Sequence, residues 1–485
     1  MADSLKRKTS VALFWSFVDK GGQQIITLVF FYILVRLISK EDIGTVNLLA
    51  IFTIISGMLQ ESGYSSALVR KKEIHPEEYT SVFYFNITIS LSLYTILFFC
   101  APVISWFYEK PVLTDLARFV FLAFVFNAFA IIQNVNLVRE MNFKLNTRIT
   151  LVAWCVSGLI AILMAYNGYG IWSMAAQQVL QSFIRSSLLW IFVKWRPSGK
   201  FVFLHIKKMS SYSINLLISG LFGQICNNIS PLIIGKKFSI PQVASYSQGL
   251  KLTNIPQSVI SDGIRSVAYP LLSKIGEDDE RSKKAYRKVM RITSFISFPV
   301  AMLLIVTASP IVSIYLPPEW TDAIPILQVL AIGGAFLPHF GLISSLLQFK
   351  GESKLLLKIE VCKNVLILVA IAIGVQFGIQ GLVTGLSLVN VLAFFAGIYI
   401  AGKRISYSFM EILKDTIPYV IISVVSFTPF VLLHMTGLEN VFLQLIIPAI
   451  VGSCVYLLIM KVFGSVIMRE TIDFVKLSYN KTFKR

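Results

Sequence analysis

Charge is what this sequence has least of. Only 14 % of its 485 residues are Asp, Glu, Lys or Arg, while 55 % are hydrophobic. Soluble globular domains carry about 25 % charged residues, so a chain solvated over its whole surface is excluded. Histidine (4) and cysteine (5) are sparse as well. Cys100, Cys155, Cys226, Cys362 and Cys454 stand singly inside apolar runs, with neither metal-ligand spacing nor a disulfide framework. They read as small packing residues, and no metal or cofactor is expected. No glycine-rich loop ending in Lys-Ser or Lys-Thr is present, which argues against direct nucleotide hydrolysis. The basic start is not followed by a short apolar segment with a small-residue cleavage site, so the first apolar run is expected to be retained.

Long apolar runs are there in quantity, and the mean hydropathy is +0.73. A helix needs roughly 20 such residues to cross the hydrocarbon core. Fourteen runs qualify by length: about 10–35, 43–68, 80–106, 113–137, 149–166, 170–193, 210–235, 243–272, 292–316, 323–348, 355–376, 379–401, 414–435 and 439–462. The expected fold is an all-α integral membrane protein of about 14 transmembrane helices. The net charge of +19 raises nucleic-acid binding, but its distribution argues otherwise. Of the 44 Lys and Arg, 33 fall on the N-terminal segment and the alternate connections that share its side. Six fall on the opposite side and five within the spans. By the positive-inside rule both termini are expected in the cytoplasm.

The chain partly repeats itself at an offset near 200. Ser10, Ser39, Gly63 and Ser66 recur as Ser210, Ser239, Gly263 and Ser266, and Gly168-Tyr169-Gly170-Ile171-Trp172 resembles Gly378-Ile379-Gln380-Gly381-Leu382. Six spans per repeat give both halves the same orientation. The expected organisation is an N-terminal lobe (1–200), a C-terminal lobe (201–402), and two further spans with a basic cytoplasmic tail (403–485). The segment 274–291, with its acidic run 277–280, reads as a solvated, partly helical loop along the headgroups rather than a metal site.

Five cations lie within the spans: Lys20, Arg185, Lys251, Arg265 and Lys363. Charge at that depth is costly and normally faces a bundle interior or a wet cavity. Arg185, Arg265 and Lys363 each sit nine residues from a basic inner boundary, roughly 13 Å at helical rise. They are candidate ligands for an anionic cargo, since a guanidinium grips phosphate at two points; Lys20 and Lys251 would line its route. Asp19, Glu61, Asp262 and Glu360 share the spans and are candidates for proton or sodium coupling. Internal pairing is the alternative, since Asp262 and Arg265, like Glu360 and Lys363, are three residues apart. His339 reads as a hydrogen-bonded packing residue. Glycine beside amides marks a candidate cavity lining at matching places in the repeat: Gly21-Gly22-Gln23-Gln24 in the first span, and Gly223-Gln224 with Asn227-Asn228 and Pro231 in the seventh. Backbone loosened there would line protein or water, while close helix packing through glycine is the alternative.

Further likenesses are more specific. Trp195-Arg196-Pro197, Gly168-Tyr169-Gly170-Ile171-Trp172 with Gln177-Gln178, Phe107-Tyr108-Glu109-Lys110-Pro111, and Ala244-Ser245-Tyr246-Ser247 running on to Tyr269-Pro270-Leu271-Leu272-Ser273 together resemble bacterial polysaccharide flippases. The group is the Wzx and WzxC-like O-antigen, lipopolysaccharide or capsule exporters of the multidrug/oligosaccharidyl-lipid/polysaccharide superfamily, and the likeness runs from about residue 5 to 400. It implies a V-shaped pair of six-helix lobes with two added helices, working by alternating access in the inner membrane. The implied cargo is an oligosaccharide on undecaprenyl pyrophosphate, flipped from the cytoplasmic to the periplasmic leaflet. Implied partners are that lipid-linked oligosaccharide, membrane lipids, H⁺ or Na⁺, and a polysaccharide polymerase and glycosyltransferases. No strict catalytic signature is carried by the resemblance, and no catalytic residue is assigned. A cation-coupled multidrug exporter of the same superfamily is the alternative. A polytopic glycosyltransferase fits less well, because the outer loops are short and poor in acidic residues.

Overall fold

The computed structural model describes residues 2–61, 64–71, 73–275, 278–435, 440–464 and 467–468, which are mostly helical and contain no strand. They fall into two compact units, Met1–Ala244 and Ser245–Arg485. The first holds α1 (Ala2–Leu34), α2 (Lys40–Leu48), α3 (Ala50–Glu61), α4 (Tyr64–Arg70), α5 (Pro76–Tyr108), α6 (Val112–Val120), α7 (Leu122–Arg139), α8 (Phe143–Tyr166), α9 (Ile171–Phe192), α10 (Phe203–Asn228) and α11 (Ser230–Lys237). α12 (Ile240–Ile275) begins in it. The second continues through α13 (Asp279–Val306), α14 (Ala308–Tyr315), α15 (Ala323–Gly334), α16 (Leu337–Phe349), α17 (Ser353–Gly374), α18 (Gly378–Gly402), α19 (Phe409–Phe427), α20 (Val441–Ile447) and α21 (Ser453–Val462). The division falls past residue 200, the boundary expected between the lobes, because α10 packs on α3, α4 and α5 and α11 packs on α2 and α5.

Eight helical stretches among the described residues are long and apolar enough to cross a membrane: Lys40–Gln60, Pro76–Tyr108, Val112–Arg139, Phe143–Tyr166, Glu280–Val306, Ala323–Phe349, Ser353–Ile405 and Val441–Val462. The chain is a multi-pass membrane protein. The expected count of fourteen is not reproduced, for two reasons. Ser353–Ile405 takes in two of the expected runs. α1, α9, α10 and α12 have the length, at 33, 22, 26 and 36 residues, but not the apolarity, and α19, at 19 residues, carries Glu411, Lys414 and Asp415. Three of the first four, α1, α9 and α12, carry four of the five cations.

Lipid offers no hydrophobic drive for helices to associate, so close packing of small residues must supply the attraction. Gly158 of α8 faces Phe30 of α1, where a Cβ would lie 2.5 Å from a ring carbon. Gly333 of α15 meets the backbone of Ser387 in α18 in the same way, with 2.7 Å to its Cα.

Each unit has an end stitched by polar groups. In the first, Glu78 is buried at the start of α5 and accepts from the His75 backbone N–H at 3.2 Å and from Lys71. Thr80 Oγ1 donates to Ser198 O at 2.8 Å, and Ser81 Oγ accepts from Val202 N at 2.9 Å. Trp195 packs on Phe83 and Tyr79. The Trp-Arg-Pro connection is thereby fastened across the helix start.

In the second unit the described part of 274–291, expected as a partly helical loop, is mostly helix, and Glu277 of its acidic run lies outside the described residues. Asp278 caps α13, accepting from Arg281 N at 3.0 Å, and α13 runs on unbroken through Arg291. The helix is held because one face of it is locked to α19. Asp415, 4 % exposed, accepts from Arg287 Nε, from Arg287 Nη2 (3.1 Å), from Arg291 Nε (2.9 Å) and Nη2 (2.5 Å), and from Tyr407 Oη (2.5 Å). Lys283 donates to Glu411 at 3.0 Å and to Ser406 O at 2.8 Å. The Glu411 carboxyl lies below the usual carboxylate range, first because the Ser408 backbone N–H donates to it and then because Lys283 does.

Candidate functional site

The first unit contains a cavity of about 570 Å³ bounded by α3, α4, α7 and α9, within the roughly 300–1,000 Å³ of ligand pockets. α7 supplies its long wall: Asn127, Ala130, Ile131, Asn134, Val135 and Val138 recur at helical spacing. Asn127 to Val138 spans about 17 Å at helical rise. Opposite stand Gln60 and Ser65, with Gln60 Nε2 fixed on Phe124 O at 2.6 Å.

Arg185 projects into this cavity from α9. Its Nη2 donates to Asn134 Oδ1 at 3.2 Å, and its Nε lies 3.5 Å from Thr150 Oγ1 of α8. Side chains from two neighbouring helices, α7 and α8, therefore hold one guanidinium, and among the described lining residues it is the charged one. A cation set among amides and hydroxyls suits an anion bearing hydroxyl groups, because the guanidinium neutralises charge while amides both donate and accept.

The other expected site residues fall elsewhere. Lys20 is on α1 with an exposed side chain, next to Asp19, one of whose buried carboxylate oxygens has no hydrogen-bond partner. α1 runs unbroken through Gly21 and Gly22, so the loosened backbone expected there is not found. Gly22 serves close packing, since a Cβ would lie 2.9 Å from a Leu151 methyl, whereas Gly21 borders open space. Gln23 and Gln24 are half-buried on the same helix. The counterpart span does break, at Ile229 between α10 and α11. Asn228 Nδ2 donates to the Gln224 carbonyl oxygen at 2.9 Å and to its side-chain Oε1 at 3.0 Å, and Asn227 is exposed beside them. Glu61 closes α3, and its side chain lies outside the described residues.

In the second unit, Arg265 and Lys363 each approach α16, at the neighbouring residues Gly341 and Phe340. A Cβ on Gly341 would lie 3.1 Å from Arg265 Nε, and Lys363 Nζ sits 4.8 Å from the Phe340 ring centroid. Lys251 is half-buried on α12; Asp262 and Glu360 are exposed. His339 is fully buried, 3.0 Å from Ser294 Oγ and 3.2 Å from Ala335 O, packed against Phe298 and Phe394.

Sequence reasoning singled out Arg185 but neither its partners Asn134 and Thr150 nor Gln60 and Asn127, which line the same cavity. The available signal was the seven-residue spacing of Asn127 and Asn134 inside an otherwise apolar run.

A family described as polysaccharide biosynthesis protein matches residues 33–325, more than half of the chain. The chain belongs to this family. Among family-like relatives, the succinoglycan biosynthesis transport protein ExoT of Rhizobium meliloti (strain 1021) is 24 % identical, over 95 % of this chain and 94 % of that protein. The lipopolysaccharide biosynthesis protein WzxC of Escherichia coli (strain K12) is 23 % identical over 80 % of each. Of solved structures, the lipid II flippase MurJ in an inward closed conformation matches with TM-score 0.78 at 16 % identity, covering 95 % of this chain and all of that one. An inward-facing multidrug resistance MATE family transporter matches with TM-score 0.63 at 17 % identity, over 79 % and 94 %. At these identities the structural likeness establishes the fold.

Proposed function

We propose that this protein is a flippase that carries an undecaprenyl-pyrophosphate-linked oligosaccharide from the cytoplasmic to the periplasmic leaflet of the bacterial inner membrane by alternating access. It serves the biosynthesis of lipopolysaccharide, capsule or exopolysaccharide, and performs no covalent step. The observation that carries this reading is the Arg185 cavity: an amide-walled chamber with a fixed guanidinium, in a membrane protein of a polysaccharide biosynthesis family. The succinoglycan transport protein ExoT and the lipid II flippase MurJ, which this chain resembles, support it.

In this scheme the cargo's pyrophosphate is held at Arg185, with Asn134 and Thr150 keeping the guanidinium in place. Arg265 and Lys363 at α16 take a second anionic contact, and Lys20 and Lys251 line the remaining route. Asp19, Glu61, Asp262 and Glu360 are the groups through which H⁺ or Na⁺ would bias one conformation over the other. Gln23, Gln24, Gln224, Asn227 and Asn228 provide hydroxyl-binding amides. The repeat gives two lobes, 1–200 and 201–402, with 403–485 added. Matching helix starts support the duplication: Lys40 and Ile240, Phe143 and Ser353, Ile171 and Gly378. Both termini lie in the cytoplasm, and the polymerase and glycosyltransferases of the same pathway are its working neighbours.

The test is the sidedness of lipid-linked oligosaccharide in cells lacking the protein. Accumulation on the inner face, reversed by the wild-type chain, is expected. Normal export combined with new sensitivity to cationic drugs would instead make it a multidrug exporter.

A further inference from the structure

A second cavity, of about 730 Å³, lies at the C-terminal end of α5, shares no lining residue with the Arg185 cavity and is lined by Trp106, Phe107, Glu109, Lys110 and Lys236 among others. Glu109 adopts a left-handed conformation (φ 56°) that turns the chain out of α5. Its Oε1 stands 3.0 Å from Lys236 Nζ of α11, and that ammonium also donates to Phe107 O at 2.6 Å. Lys110 is paired with Glu41 of α2. Two ammonium groups and the Glu109 carboxylate thus line the cavity, with the Glu41 carboxylate held against Lys110. The Glu109 side chain is 83 % exposed and that of Lys236 39 %, so both signs of charge stay accessible.

An apolar stripe leads into this cavity. Ile96, Phe99, Val103 and Trp106 are all exposed and share one face of α5, with Trp106 at 77 %. From Ile96 to Trp106 the stripe rises about 15 Å, half of a hydrocarbon core about 30 Å thick. An exposed tryptophan at a span end marks the level of lipid headgroups. Cavity and stripe therefore meet as the head and one tail of a single-leaflet lipid do.

We infer that this is a binding site for a zwitterionic phospholipid whose headgroup ends in a primary ammonium, as in phosphatidylethanolamine. Its phosphate faces Lys236 and Lys110, its ammonium donates to Glu109 and Glu41, and one acyl chain lies along the α5 stripe. A choline headgroup carries the same charges but has no N–H to donate, and an anionic headgroup lacks a cation for Glu109. Because Lys236 belongs to α11 and Glu109 to α5, the bound headgroup also ties these helices together.

The test uses the full-length protein equilibrated with equal amounts of phosphatidylethanolamine and phosphatidylcholine, with retained lipid counted by native mass spectrometry. Wild type should retain the ethanolamine lipid about fivefold over the choline lipid, the upper end of what an exposed charge pair supplies. Glu109→Gln should remove that preference, and Lys236→Gln should reduce both lipids alike. Equal retention by wild type, or a preference that survives Glu109→Gln, overturns the site. Displacement of the lipid by a soluble oligosaccharide overturns it too, in favour of a glycan platform. Arg185→Ala should leave the preference intact, so this result and the transport result stand or fall separately.

Discussion

Replacing Asp415 should unfasten α19 from α13, and the size of the effect follows from what surrounds it. The carboxylate is almost fully buried and accepts from two guanidiniums and a phenol. Removing one member of a buried ion cluster costs about 3–5 kcal/mol, because the partners remain behind uncompensated. Here the arginine side chains are 36 % and 28 % exposed, so water takes up part of the loss, and we expect about 3 kcal/mol, the low end of that range. For a unit of roughly this size, each kcal/mol moves the unfolding midpoint by about 2–4 °C, which gives a fall of about 6–12 °C. The measurement is a thermal melt of the purified protein in detergent, followed by loss of the monodisperse peak. Asp415→Asn keeps the shape and removes the charge, so it should fall nearly as far as Asp415→Ala. If Asp415→Asn melts with wild type while Asp415→Ala does not, hydrogen-bond geometry and not charge holds the two helices. If neither variant shifts, the cluster does not hold them at all.

Arg185→Ala should abolish surface glycan while the protein remains in the membrane at its normal level, and Arg185→Lys should recover only part of it, since an ammonium cannot grip two oxygens in one plane; normal export by the alanine variant removes Arg185 from the site. Gly158→Leu forces a side chain into Phe30 and should cost about 1–3 kcal/mol, read as a lower melting midpoint, whereas an unchanged midpoint means that α1 and α8 are not closely packed there. Arg139 donates to Leu68 O at 2.8 Å and to Lys71 O, fixing the end of α4 beside the cavity. Arg139→Ala should therefore raise maleimide labelling of a cysteine placed at Val69, and equal labelling would refute that positioning role. Because the Glu411 carboxyl is held below its usual range, its capping and pairing stabilise the fold above the ordinary carboxylate pKa and are lost as pH falls through the lowered value; Glu411→Gln should flatten that acid limb in pH-dependent melts.

Apolar composition and run length determined the class of this protein: hydropathy is a local property, and a membrane leaves the backbone few options besides helix. The same locality made Arg185 conspicuous, since one cation in an apolar run stands out without knowledge of its neighbours. Span count was less legible, because α9 and α12 are long helices that are not apolar enough to stand out by composition. Tertiary structure alone decided which polar groups meet. Asn134 and Arg185 are 51 residues apart, and Asp415 lies 128 residues from Arg287. Nothing in either segment announces the other, and α13 is continuous helix from Asp279 through Arg291 where charge density by itself favoured a solvated, only partly helical loop. Distances of that kind are set by how the helices pack, and packing in lipid depends on the fit of small side chains such as Gly158 and Gly333 against particular neighbours.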